Sequence, residues 1–141
     1  MVCEYDWTLE MYTTLGRACY SCPTNYTDCL RENCILADGK LKTIEVVNKL
    51  LPGPSIQVCL GDTIVVNLEN MLRSQRVTSI HWHGIKQRGT PYMDGVGMVT
   101  QWPIIPSTSF QYKFVAQDVG THFWHSHSGV QRSVNLFLNK T

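Results

Sequence analysis

Ile56-Gln57-Val58-Cys59-Leu60-Gly61-Asp62-Thr63-Ile64-Val65-Val66-Asn67-Leu68-Glu69-Asn70 is the stretch on which the fold turns. Ile64, Val66 and Leu68 alternate with Val65, Asn67 and Glu69. That period of two sends one set to a core and the other outward, as a half-buried strand requires. Gly61-Asp62 separates this run from Ile56 to Leu60 and predicts a tight hairpin in which glycine takes a positive φ. Working outward, Phe110, Tyr112 and Phe114 alternate with Gln111 and Lys113, and Leu51-Pro52-Gly53-Pro54 reads as a turn. From Thr43 onward, short β-branched and aromatic runs recur between Gly, Pro and Asn signals. They predict strands at 43–49, 56–60, 63–70, 77–83, 109–115, 121–127 and 133–138 in an all-β antiparallel sandwich or barrel.

Residues 1 to about 40 read differently. Cys3, Cys19, Cys22, Cys29 and Cys34 crowd this quarter among turn formers, and no sustained period is evident. The division is therefore a Cys-rich N-terminal extension, 1–40, and one β domain, 41–141, within a length of 141 residues that suits one compact unit. Oxidised cysteine pairs are the natural reading of such density. A zinc site is the rival, since Cys19-Tyr20-Ser21-Cys22 has ligand spacing, although Cys29 and Cys34 do not make a second close pair. Cys59 lies alone in the β region, so it is expected to bridge to a cysteine of the extension and staple it to the core, a link of about 2–4 kcal/mol.

Hydrophobic residues make up 43% and charged residues 16% of the chain, which supports a buried core. The formal net charge of +1, with no Lys/Arg run, speaks against nucleic acid or an anionic membrane as partner. No apolar run is long enough to span a bilayer, and Met1-Val2-Cys3-Glu4 does not open a signal peptide. The cysteines and the sequons Asn25-Tyr26-Thr27 and Asn139-Lys140-Thr141 nonetheless point to an extracellular, secreted protein and a partial sequence.

The chemistry sits in His81-Trp82-His83 and His125-Ser126-His127. Residues i and i+2 of a strand face one side, so each pair presents two imidazoles together as a bidentate claw. Neutral imidazole suits copper and zinc near neutral pH. Ile80 and Trp82 occupy the opposite face and anchor the strand. Alternation sets His122 on the other face from His125 and His127, as a packing or hydrogen-bonding residue. Asp94, followed by Gly95, reads either as a turn acid or as a group that orients a ligand or supplies protons. Four histidines without a nearby thiolate do not make the trigonal two-histidine, one-cysteine centre that accepts electrons from a substrate.

These residues resemble the multicopper oxidases, within them the laccase-like enzymes of arthropods. The resemblance rests on Pro52-Gly53-Pro54-Ser55-Ile56-Gln57-Val58-Cys59, Ile80-His81-Trp82-His83-Gly84, Gly89-Thr90-Pro91-Tyr92-Met93-Asp94-Gly95 and Gly120-Thr121-His122-Phe123-Trp124-His125-Ser126-His127-Ser128-Gly129, in that order. Leu15-Gly16-Arg17-Ala18-Cys19 is similar to the arthropod extension. The resemblance implies a cupredoxin-like Greek-key β-sandwich, the first of three such domains. It further implies that His81 binds the normal copper of a trinuclear cluster, that His83, His125 and His127 bind its coupled pair, and that Asp94 is an acid beside the ligands. The other four ligands and the blue-copper cysteine would come from a C-terminal cupredoxin domain. Phenols, aromatic amines or metal ions would supply single electrons and O2 would be reduced to water. Such a chain would be inactive alone. Two departures stand out: Trp102 occupies the place of a family cysteine that often bridges to another domain, and Ser133-Val134-Asn135-Leu136-Phe137-Leu138 replaces an Asp and two glycines. Two other readings remain open: a stand-alone copper or zinc carrier, and a secreted structural module whose histidines are relics.

Overall fold

A computed structural model describes residues 1–73, 75–129 and 134–139, the last six by backbone course alone. Among these residues eight strands form two four-stranded sheets. They are β1 (Val2–Thr13), β2 (Thr43–Val47), β3 (Ile56–Gln57), β4 (Thr63–Asn70), β5 (Ile80–His83), β6 (Thr108–Val115), β7 (His122–Ser126) and β8 (Val134–Asn139). The first sheet runs β2-β1-β4-β6 and the second β3-β8-β7-β5. The expected all-β sandwich is thus present, but it is mixed rather than purely antiparallel, because β1 pairs parallel to β4 and β3 parallel to β8.

Three sequence expectations are corrected. The 1–40 extension does not lie outside the sandwich as a whole, since Val2–Thr13 is an interior strand of the first sheet. Its inward side is Cys3, Tyr5, Trp7, Leu9 and Met11, a period of two masked by the intervening acids Glu4, Asp6 and Glu10. The hairpin at Gly61-Asp62 does not form either: Gly61 takes φ +87° as expected, yet β3 and β4 belong to different sheets and the turn carries the chain between them. Finally, Cys59 is bridged to none of the four cysteines at 19–34. Disulfides join Cys19 to Cys34 and Cys22 to Cys29, within the segment that links β1 to β2, while Cys3 and Cys59 remain thiols. Cysteines crowded into one short loop find each other first, which also removes the zinc reading of Cys19 and Cys22.

Aromatic packing joins the two sheets. Trp7 of β1 lies 4.2 Å, centroid to centroid, from Trp124 of β7 and 5.8 Å from Trp82 of β5. Trp82 also meets Phe114 at 5.1 Å and Tyr112 at 5.4 Å. All five are essentially excluded from water. Burying an indole on this scale is among the largest single contributions to a core. Tyr112 is in addition a strut: its hydroxyl accepts the Ile80 N–H at 2.8 Å, fixing the start of the strand that carries His81 and His83. Burial pushes that phenol far above its ordinary pKa, so it stays a neutral hydroxyl.

Candidate metal centre

β5 and β7 are antiparallel neighbours whose register places His81 opposite His125 and Trp82 opposite Trp124. The pleat does the rest. Trp82 points inward and is buried, as are Trp124 and Ser126, so His81 and His83 on either side of the first, and His125 between the other two, point out together. One donor nitrogen from each of His81, His83 and His125 lies within 4.8 Å of the others. His127, just past the end of β7, stands beside this trio rather than in it. Its ring centroid is 5.6 Å from His81 and 6.0 Å from His125. Its backbone is pinned, with the His127 N–H donating to the Ser79 carbonyl at 2.9 Å and the Ser79 hydroxyl donating to the His127 carbonyl at 3.2 Å.

Two of the imidazoles have their tautomers set by main-chain carbonyls. His81 Nδ1 is 2.8 Å from the Asp94 carbonyl oxygen and His125 Nδ1 is 2.9 Å from the Ser126 carbonyl oxygen. A carbonyl only accepts, so each Nδ1 carries the proton and each Nε2 presents a lone pair. Burial pushes the pKa of His125 below the ordinary histidine value, against the opposing pull of its bond to Ser126, and the neighbouring histidines lower it further. Ring stacking of Phe123 on His83, at 4.3 Å and 17°, steadies the most exposed of the three. Three convergent imidazoles, two with Nε2 set forward, fit a borderline-soft divalent ion such as copper.

Asp94 reaches the site by both its carbonyl and its carboxylate, the latter with Oδ1 at 3.5 Å from His81 Nδ1. Gly95 makes this possible. It has φ +81°, and a Cβ there would collide with the Ile80 carbonyl oxygen, so the 94–95 turn presses directly on β5. His122 is not part of the convergent trio. Its Nδ1 sits 2.7 Å from where a Cβ on Gly84 would stand, and its Nε2 is buried with no protein partner among the described residues. Sequence reasoning missed Ser79 and Phe123 as supports, and only their positions opposite and beside ligands in the ladder reveal them.

From Asp94 the chain continues past His127 to an apolar surface. Gly97 lies against the His127 carbonyl and Pro103, and beyond it Met98, Val99, Trp102 and Ile105 are all largely exposed. Trp102 is 79% exposed, the opposite of the three core tryptophans. Within the altered segment at 133–138, Ser133 lies outside the described residues, and the backbone of 134–139 runs as β8. The second sequon also extends beyond the described residues, whereas Asn25 is exposed.

Comparison with known proteins supports the fold. A family model described as multicopper oxidase matches residues 29–137. An L-ascorbate oxidase of Brassica rapa subsp. pekinensis is 47% identical over 100 residues, covering 71% of this chain and 17% of its own length. Laccase-1 of Cryptococcus neoformans var. grubii is 50% identical over 91 residues, 64% of this chain and 14% of the relative. The chain therefore spans a small part of the curated relatives it matches. Among solved structures, a laccase of Botrytis aclada superposes with a TM-score of 0.78 at 32% identity, covering 99% of this chain and 22% of that one. Fet3p, a multicopper oxidase that functions in iron import, gives 0.77 at 29% identity over 100% of this chain and 23% of its own. A cupredoxin-like sandwich with histidine pairs on adjacent strands, matched over most of its length by that family, places this chain among the copper-binding multicopper oxidases.

Proposed function

We propose that this chain is the first cupredoxin domain of a secreted, laccase-like multicopper oxidase, with residues 1–40 its Cys-rich N-terminal part. In this reading His81, His83, His125 and His127 supply four ligands of a copper cluster whose other ligands come from a further cupredoxin domain. The observation that carries it is the convergence of two His-x-His pairs from neighbouring strands on one open face. His81 would hold the normal copper, and His83, His125 and His127 the coupled pair. Copper, when bound, supplies one-electron redox chemistry linking oxidation of phenols, aromatic amines or metal ions to reduction of O2 to water.

The protein's own part is orientation and proton handling. The Asp94 and Ser126 carbonyls fix His81 and His125 with Nε2 forward. Asp94 Oδ1, partly exposed beside His81, can hold a proton between solvent and the cluster face. Trp82, Trp124 and Tyr112 keep water from the back of both strands. No thiol reaches this face: four cysteines are in disulfides, and Cys3 and Cys59 flank Asp62. A domain so built is inactive alone and relies on a partner domain for electron entry. The exposed Met98, Val99, Trp102 and Ile105, continuous with the cluster face, suit burial under that domain. Extracellular location is supported by the two disulfides and the exposed Asn25 sequon.

Copper(II) titration of the metal-free chain tests the reading, using His81→Ala/His83→Ala and His125→Ala/His127→Ala variants. Weak binding lost in both variants, with no O2-dependent phenol oxidation by the chain alone, is the expected result. Unchanged binding in both would remove the claw assignment, and turnover by the isolated chain would refute the division between domains. Tight stoichiometric binding of one ion would favour a metal carrier, a reading for which the trio within 4.8 Å is the specific support.

A further inference from the structure

Six cysteines occur in the chain, and the structure pairs four of them within the β1–β2 connection. The other two both neighbour Asp62. Asp62 Oδ2 accepts the Cys59 backbone N–H at 2.9 Å and stands 3.9 Å from the Cys3 sulfur. The main chain of both cysteines is tied down. Cys59 is held by the turn in which the Asp62 N–H donates to the Cys59 carbonyl at 3.1 Å. Cys3 is held by the β1–β4 ladder, where it is register partner to Ile64, and by the Thr63 N–H donating to the Met1 carbonyl at 2.8 Å. Cys59 is exposed and Cys3 half-buried, so Cys59 is the thiol more open to reagents.

We propose that Cys3 and Cys59 are the site of a third cross-link, formed in the folded chain by exchange with a low-molecular-weight disulfide of the glutathione class. The Cys59 thiolate attacks one sulfur of the reagent, forming a mixed disulfide and releasing one reduced thiol. The Cys3 thiolate then attacks the Cys59 sulfur, forming the internal bond and releasing the second. Two electrons pass from the cysteine pair to the reagent, and the two cysteine protons leave on the two released thiols. The link ties the first residues of β1 to the turn between β3 and β4. It would clamp the parallel β1–β4 pair at its open end. Unlike a bond from Cys59 into the loop cysteines, it lies wholly within the sandwich and leaves the Cys19–Cys34 and Cys22–Cys29 pairs untouched.

Incubating the intact, metal-free chain with oxidised glutathione tests this. The expected product has lost two hydrogen atoms in mass and both free thiols, and digestion under non-reducing conditions returns the Cys3 peptide joined to the Cys59 peptide. Its urea midpoint should rise above that of the untreated chain. Cys3→Ser should instead stop at one stable glutathione adduct on Cys59, with far-UV circular dichroism confirming that the variant is folded. Two separate adducts on the wild-type chain, a covalent dimer through Cys59, or exchange of Cys59 into either existing disulfide would each overturn the proposal.

Discussion

His81 and Asp94 are joined twice, by the 2.8 Å contact of the imidazole Nδ1 with the Asp94 carbonyl and by a 3.5 Å approach to its carboxylate. The stronger contact is to main chain, so it survives replacement of the side chain. Asp94→Asn should therefore weaken copper(II) binding less than about tenfold, the low end of what loss of a ligand's supporting partner costs. Calorimetric titration of the variant checks this, and a loss as large as that of His81→Ala would show that the carboxylate, not the carbonyl, positions the ring.

Gly95→Ala should be the more damaging change, though glycine bears no functional group. The added methyl meets the Ile80 carbonyl in a backbone region that L-residues avoid, so the turn must move away from β5. A loss of about 2 kcal/mol or more in unfolding free energy is expected. Copper binding should fall with it, because the Asp94 carbonyl leaves His81. Chemical denaturation together with titration separates the two effects.

The lowered pKa of His125 gives metal-free stability a defined pH dependence. The fold keeps this ring neutral while the unfolded chain takes its proton first, at about pH 6.5. The contribution is therefore complete above that value and is lost as pH falls from it toward the depressed folded value. Urea midpoints measured across this window should decline for the wild-type chain and decline less for His125→Gln.

Trp102 and Trp124 should respond in opposite ways. Truncating the buried Trp124, in ring contact with Trp7, should cost about 3–5 kcal/mol. Trp102→Ser should change the stability of this chain by no more than about 0.5 kcal/mol. It should, however, reduce self-association in sedimentation experiments, because the apolar surface it dominates is open to water.

The histidine face was legible because a strand's period of two is strict. Ile80 and Trp82 inward force His81 and His83 outward, and Trp124 and Ser126 inward do the same for His125 between them. Pairing was not legible to the same degree. Periodicity says which way a side chain faces and is silent on which sheet a strand joins, so Ile56–Gln57 and Thr63–Asn70 read as a hairpin when the turn crosses between sheets. β1 escaped notice because cysteines and acids dominate its composition, although Trp7 and Leu9 alternate as a core strand should. The carbonyl contacts at His81 and His125 arise from loop and bulge geometry that no residue pattern encodes.

The order of the strands also sets a timetable. Among the described residues, only β1–β2 and β7–β8 join strands that follow one another in sequence; the other ladders, including the β5–β7 ladder beneath the histidines, close over a long stretch of chain. Such topologies belong to the slow class of single domains, reaching the native state in roughly milliseconds to seconds. On a ribosome, His81 and His83 emerge well before His125 and β8. An ion arriving early meets one pair alone, so the face that gathers both pairs becomes available only when the last ladders have closed.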